Sequence, residues 1–185
     1  IKMGIALITS KMIAVFVGPG GMAYIGNFRN FMTSLEGIST LAFSSGVVKY
    51  VGENEDKEKE LTKIITTVLV TFLVFSTVLG FLIFVFSDFL CAKFFGNNLQ
   101  YEIVFKVVAI VLPFSVVSVL FVSIINGLGS YSKLIYATII SNIVALVLTV
   151  LLIYEFKLVG ALLSTALNPT ILFTINFFYV PKELQ

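Results

Sequence analysis

The chain contains no histidine, a single cysteine (Cys91) and only two aspartates (Asp56 and Asp88). Without histidine or a second thiol there is no ligand set for zinc or another transition metal, so we expect no metal and no cofactor. The two aspartates fall in separate polar loops, so they cannot be paired to hold Mg²⁺ for glycosyl or phosphoryl transfer. We therefore expect a protein that is not an enzyme.

Charged residues are also scarce, at 12% of the chain, whereas hydrophobic residues make up 58% and the mean hydropathy is +1.07. A typical soluble domain has about 25% charged residues, so this composition indicates an integral membrane protein. The net charge of +2 argues against a nucleic-acid partner. The phosphate-binding G-x-x-x-x-G-K-[ST] loop is absent, so the chain itself would not bind ATP to power transport.

The length of 185 residues accommodates about six membrane spans of about 20 apolar residues each. We predict spans at residues 1–17, 22–48, 64–86, 103–125, 134–154 and 158–180, with a polar loop over 87–102. The predicted fold class is all-α and integral to the membrane: one six-helix bundle over 1–185 without a soluble domain. The chain opens inside an apolar segment without a methionine, so we expect a fragment of a longer protein.

The basic residues between the spans are distributed unequally. Two lysines, Lys93 and Lys157, lie on one side, and seven lie on the other: Lys2, Lys49, Lys57, Lys59, Lys63, Lys133 and Lys182. By the positive-inside rule the side with seven is cytoplasmic. This predicts a cytoplasmic N-terminus and places the turn at residues 18–21 on the outer side.

The second predicted span has one polar face. At 100° per residue, its polar and small residues share a sector of about 120°: Gly26, Arg29, Asn30, Thr33, Glu36, Gly37, Thr40 and Ser44. A charge that faces lipid costs several kcal/mol. We therefore expect this face to line a bundle interior or a water-filled cavity.

Lys11 and Arg29 lie at similar distances from the outer turn, about 10 to 12 Å along their helices. Glu36 adds only one carboxylate, so the local excess of positive charge favours an anionic ligand. A guanidinium binds phosphate oxygens in a bidentate fork. We predict that Arg29, Lys11, Asn30 and Thr33 bind substrate and that Glu36 is the candidate for coupling to an ion gradient. The alternative is that Arg29 and Glu36 form a structural pair while Lys11 extends to the interface.

Other polar residues within the predicted spans have a simpler interpretation. We expect the hydroxyls and amides of later spans to form hydrogen bonds between helices: Ser115, Ser118, Ser141, Asn142, Thr165 and Asn168. Lys106 lies just inside the fourth span, where a lysine usually extends to the membrane interface. Pro113 and Pro169 permit kinks in mid-helix.

Several short motifs occur together in a recognisable order. They are the segment 11–21 (KMIAVFVGPGG), Asn27-Phe28-Arg29, Val48-Lys49-Tyr50-Val51, Phe95-Gly96-Asn97, and 159–163 with Asn168-Pro169. In this order they resemble bacterial Wzx-type flippases for O-antigen and enterobacterial common antigen units, and the resemblance extends over nearly the whole chain.

The resemblance implies the amino-terminal lobe of a two-lobed, MATE-like transporter, a member of the multidrug/oligosaccharidyl-lipid/polysaccharide exporter superfamily. It implies that an undecaprenyl pyrophosphate-linked oligosaccharide moves from the cytoplasmic to the periplasmic leaflet of the bacterial inner membrane. The expected partners are this lipid-linked oligosaccharide, membrane lipids and a polysaccharide polymerase complex. The resemblance also matches Lys11 and Arg29 to cationic positions of such flippases.

Three other functions stay open from the sequence. A multidrug-type exporter of the same superfamily is disfavoured because a positive cavity repels cationic drugs. A membrane scaffold for polysaccharide assembly would tolerate loss of Arg29 and Lys11 but not changes on the apolar face of the second span. A membrane transferase would be indicated by sugar or phosphate transfer.

Overall fold

A computed structural model describes residues 2–54, 57–96, 98–129 and 131–179, and all the regular secondary structure in these ranges is helical. The helices are α1 (Lys2–Ser39), α2 (Ser44–Glu53), α3 (Glu58–Val85), α4 (Ser87–Phe95), α5 (Glu102–Gly127) and α6 (Tyr131–Tyr179). A 3₁₀ turn, Leu99–Tyr101, precedes α5. Residues 1 and 180, at the ends of two predicted spans, lie outside the described residues.

α1 is a hairpin rather than one continuous rod. Gly18 leaves the helical conformation (φ 80°, ψ 175°), and Pro19 follows without an amide donor. Ser10 and Arg29 line the same cavity, although a straight helix would separate them by about 28 Å at 1.5 Å per residue. The arms before and after Gly18 therefore run back along each other.

α6 reverses in the same way at Lys157 (φ 49°, ψ −119°). Its two arms approach so closely that a Cβ at position 160 would overlap the carbonyl oxygen of Leu152, and only glycine fits there. Gly21, just after the bend of α1, lies near Leu158, just after the bend of α6. The two bends therefore lie at the same end of the bundle.

Three stretches within the described residues are long and apolar enough to cross a membrane: Lys59–Val85, Glu102–Gly127 and Leu134–Phe177. The third includes both arms of α6. The chain is thus an all-α membrane protein, as its composition predicts. When the two arms of α1 and the two arms of α6 are counted separately, they make six helical segments together with α3 and α5. This number is consistent with the six predicted spans.

The predicted span over residues 22–48 is wrong, because the helix ends at Ser39 and α2 begins at Ser44. Two backbone hydrogen bonds, from Leu41 N to Ile38 O (3.0 Å) and from Ala42 N to Gly37 O (2.8 Å), close the end of α1. This is the bonding pattern of a Schellman motif. Leu41 has a φ of 51°, although glycine usually occupies this left-handed position.

The predicted polar loop over residues 87–102 is also wrong, because it contains α4 and the 3₁₀ turn. α4 buries Ser87, Cys91 and Phe95, which are one turn apart along one face. Asp88 in its first turn and Lys93 in its last turn suit the helix dipole. A short helix thus covers one end of the bundle, termed here the α4 end.

α5 is the central helix and packs against α2, α3, α4 and α6. Towards the α4 end, Phe105 of α5 lies among aromatic rings of α1 and α4, with centroid distances of 6.2 Å to Phe28 and 5.7 Å to Phe94. Towards the other end, termed the α2 end, Gly127 lies so close to α2 that a Cβ would come within 2.7 Å of Val51 Cβ. Aromatic packing at one end and close helix approach at the other fix the bundle on which the site is built.

Candidate functional site

The second arm of α1 buries its apolar face and exposes its polar one. Phe28 and Leu35 are buried in the bundle, whereas Arg29, Asn30 and Thr33 are exposed. We term Gly26, Arg29, Asn30, Thr33, Glu36 and Gly37 the polar face of α1. The 3.6-residue period thus places the apolar residues in the core and the polar face on the open side of the bundle.

A cavity of about 530 Å³ lies between the polar face of α1 and both arms of α6, and we term it the Arg29 cavity. Among the described residues that line it, Arg29 and Glu36 are the charged ones. Its other polar lining residues are Ser10, Thr33, Asn142, Thr149, Ser164, Thr165 and Asn168.

A second cavity of about 530 Å³ lies closer to the α2 end, among α1, α2, α5 and α6, and we term it the serine cavity. In the part of the chain that the structure describes, Glu36 is the one charged residue lining it. Its uncharged polar lining residues are Ser44, Ser45, Ser115, Ser118, Ser123, Asn126, Thr138, Ser141, Asn142 and Asn168. Glu36, Asn142, Asn168 and Pro169 line both cavities, so the two spaces adjoin at these residues.

Ion pairs within the described ranges join Lys49 to Glu53, Lys57 to Glu60 and Lys106 to Glu102. In that part of the chain neither Lys11 nor Arg29 has a carboxylate partner, and Glu36 has no cationic one. The described residues therefore do not form the structural Arg29–Glu36 pair that was the alternative interpretation. Lys106, for which we expect extension to the interface, pairs instead with Glu102, one turn earlier.

The predicted site residues divide into two groups. Arg29, Thr33 and Glu36 line the Arg29 cavity, whereas Lys11 and Asn30 are exposed and line neither cavity. The Thr33 hydroxyl donates to the backbone oxygen of Arg29 (3.0 Å) and keeps its oxygen as an acceptor.

The predicted excess of positive charge is therefore wrong for the described lining of the Arg29 cavity, which carries one cation and one carboxylate. Arg29 and Glu36 lie seven residues apart on α1, about 10.5 Å along its axis. The cavity is therefore bipolar. Its cation lies towards the α4 end, and its carboxylate lies where the serine cavity begins.

Among the described residues, Ser118 Oγ and Asn142 Nδ2 do not form the hydrogen bonds between helices that the sequence predicts. Ser118 Oγ and Asn142 Nδ2 are buried atoms without a hydrogen-bond partner, and both residues line the serine cavity. The hydroxyls of Ser115 and Thr165 donate to carbonyl oxygens of their own helices, at 2.8 and 2.9 Å, rather than across a helix interface. The sequence does contain a pattern that could have indicated a polar cavity, because Ser115, Ser118 and Asn126 share one face of α5 at helical spacing.

In the described ranges there is no group of three or more cysteine, aspartate or glutamate side chains that could hold a metal ion. The charged chemistry of the two cavities is limited to one guanidinium and one carboxylate. Hydroxyls and amides make up the rest of their polar lining. Such a lining can bind an anionic group at one place and neutral polar groups beside it.

Comparison with known proteins identifies the family. Residues 29–184 match a family model described as "Polysaccharide biosynthesis protein". The chain belongs to this family. It is also 31% identical, over 111 residues, to the proteins named lipid III flippase of Escherichia coli K12 and of Shigella flexneri.

The aligned stretch covers 60% of this chain and 26% of each flippase, so the chain matches about a quarter of the length of these relatives. No solved structure matches the chain significantly. The family match therefore associates the chain with polysaccharide biosynthesis.

Proposed function

We propose that this chain is the amino-terminal six-helix lobe of a two-lobed, MATE-like flippase of the bacterial inner membrane. Its substrate is an undecaprenyl pyrophosphate-linked oligosaccharide used for O-antigen or a related polysaccharide, which moves from the cytoplasmic to the periplasmic leaflet. The N-terminus is cytoplasmic, so the α4 end faces the periplasm. The protein is a transporter rather than an enzyme.

The observation that carries this proposal is the polar face of α1, with an arginine that has no carboxylate partner among the described residues. In a membrane such a face needs a polar counterpart. Two counterparts fit: a second lobe across the open side of the bundle, and the head group of a substrate. Arg29 would bind the diphosphate in a bidentate fork. Membership of the polysaccharide biosynthesis family and the two flippase relatives support a lipid-linked saccharide as the substrate.

The supporting residues have more limited roles in this proposal. Thr33 lies one turn from Arg29 and offers an acceptor to the same head group. Lys11 and Asn30, which are exposed and line neither cavity, would contact the substrate only where a second lobe closes the cavity. Glu36, between the two cavities, is the candidate for coupling transport to an ion gradient, and a translocation rate insensitive to Glu36→Gln would remove that role.

The other functions have less support. A multidrug-type exporter would place a cationic substrate near Glu36, but the family match favours polysaccharide biosynthesis. A scaffold that holds a polysaccharide polymerase complex together would need no polar cavity. The polymerase complex is a proposed partner in either case.

The test is translocation of undecaprenyl pyrophosphate-linked oligosaccharide by the full-length protein in proteoliposomes. Arg29→Gln should slow translocation at limiting substrate by about 10-fold or more, because hydrogen bonds to a charged group contribute about 1.5–3 kcal/mol. Lys49→Gln is the matched control, since Lys49 is an exposed cation paired with Glu53 away from both cavities. Equal rates for the two variants would contradict the proposal for Arg29, and a wild-type protein that moves no lipid would contradict the proposed function.

A further inference from the structure

The serine cavity is polar but almost uncharged. Hydroxyl and amide side chains from three helices converge on it. Glu36, the one charged residue of its described lining, lies at the boundary with the Arg29 cavity. A carboxylate with no cation in the same lining repels phosphate. The serine cavity therefore disfavours the anionic part of any ligand held at Arg29.

Two atoms of this cavity have unmet hydrogen-bonding capacity. Ser118 is 1% exposed and its Oγ has no hydrogen-bond partner, and Asn142 Nδ2 is buried without an acceptor. Buried polar groups in proteins are nearly always hydrogen-bonded, so such atoms indicate a missing partner. Ser44 and Ser45, the first residues of α2, line the same cavity, and no side chain caps that helix.

We propose that the serine cavity binds the uncharged sugar next to the diphosphate of a lipid-linked saccharide, through Ser118 and Asn142. This inference rests on the proposed function, in which Arg29 binds the diphosphate. It deepens that function by assigning the recognition of the sugar to particular residues. The two adjoining cavities then bind the two adjoining parts of one head group.

The chemistry of the lining favours a sugar over a metal cation. The buried atom of Asn142 that lacks an acceptor is Nδ2, an amide donor, and a donor cannot ligate a cation. A sugar hydroxyl or acetamido group both donates and accepts, so it can satisfy the Asn142 amide, the Ser118 hydroxyl and the Glu36 carboxylate together. The volume of about 530 Å³ lies within the usual range of small-molecule pockets.

The test compares two lipids on the full-length protein in detergent: undecaprenyl diphosphate and undecaprenyl diphosphate bearing one N-acetylglucosamine. Affinity is obtained from the rise in melting temperature with lipid concentration, because a ligand that binds the folded state stabilises it. The variant is Ser118→Ala with Asn142→Ala. The matched control is Ser76→Ala, a buried serine of α3 whose hydroxyl donates to Leu73 O (3.1 Å) away from both cavities.

We expect the double variant to bind the sugar-bearing lipid about 10-fold or more weakly, and the bare diphosphate lipid within about twofold of wild type. The control should bind both lipids as wild type does. If the double variant does not fold, Asn142→Gln provides the same test, because it keeps the amide but displaces it by one methylene.

Three results would overturn the inference while leaving the proposed function intact. The first is an equal loss of affinity for both lipids, and the second is a wild-type protein that gains no affinity from the sugar. The third is evidence for a cation site: sodium chloride, but not choline chloride, stabilises the wild-type protein, and the double variant loses this stabilisation. A wild-type protein stabilised by neither lipid would contradict the proposed function and the inference together.

Discussion

The contact between α3 and α5 at Gly80 gives a quantitative prediction about stability. A Cβ at position 80 would lie 2.6 Å from the backbone oxygen of Ala109. Carbon and oxygen normally approach to about 3.3 Å, so Gly80→Ala must separate the two helices locally by about 0.7 Å. A gap of this size forfeits about a quarter to a half of the dispersion attraction of the affected atoms. Overpacking of this kind typically costs about 1–3 kcal/mol.

Gly26→Ala is the matched control, because Gly26 is also inside a helix and a Cβ there has nothing within 4 Å in the described chain. Both substitutions gain the same helix propensity, about 1 kcal/mol, so that contribution cancels in the comparison. We expect Gly80→Ala to lower the free energy of unfolding by about 1–3 kcal/mol relative to Gly26→Ala. The measurement is a sodium dodecyl sulfate titration of the full-length protein in mixed micelles, and equal stability of the two variants would refute the close approach of α3 and α5.

Three further predictions follow from individual residues. Arg29→Lys keeps the positive charge but loses the bidentate fork, so its translocation rate should lie between those of wild type and Arg29→Gln, and a rate equal to that of Arg29→Gln would show that charge alone contributes nothing. Cys91 is 1% exposed, and burial, with the Glu102 and Asp88 carboxylates nearby, raises the pKa of its thiol. Less thiolate is then present at neutral pH, so N-ethylmaleimide should label native protein far more slowly than denatured protein, and equal rates would contradict the placement of α4. Leu41→Gly should raise the free energy of unfolding by up to about 1 kcal/mol, because glycine adopts the left-handed conformation of residue 41 without strain, and destabilisation in the same titration would contradict that conformation.

Helical periodicity accounts for the features that the sequence predicted well. The division of α1 into a polar and an apolar face follows from a fixed rotation of 100° per residue. Which face packs into the bundle does not follow from it, and the structure buries Phe28 and Leu35 of the apolar face. The bend at Gly18 and Pro19 follows from glycine's conformational freedom and proline's missing amide.

Other features depend on packing that no local pattern encodes. The break after Ser39 places Leu41 and Ala42 in the left-handed conformation, which neither residue type signals, so the helix was predicted to continue. Lys11 was assigned to the cavity from its distance along the helix. The rotation of its arm is set by neighbouring helices, and Ser10 lines the cavity instead.

Whether Ser118 and Asn142 have hydrogen-bond partners also could not be predicted from the sequence. A polar residue in a membrane helix usually contacts another helix, which is the prediction we made. Whether a partner is within reach depends on the space between three helices, and here that space is a cavity.

The central claim is that a saccharide lipid crosses the membrane along the polar face of α1. The most direct measurement is labelling of Thr33→Cys by a membrane-impermeant maleimide in the full-length protein, with Cys91→Ala as background. The matched control is Ile110→Cys, an exposed apolar position on α5. We expect Thr33→Cys to be labelled, undecaprenyl pyrophosphate-linked oligosaccharide to slow that labelling, and Ile110→Cys to stay unlabelled. Labelling of Thr33→Cys that the lipid leaves unchanged, or no labelling at all, would contradict the claim.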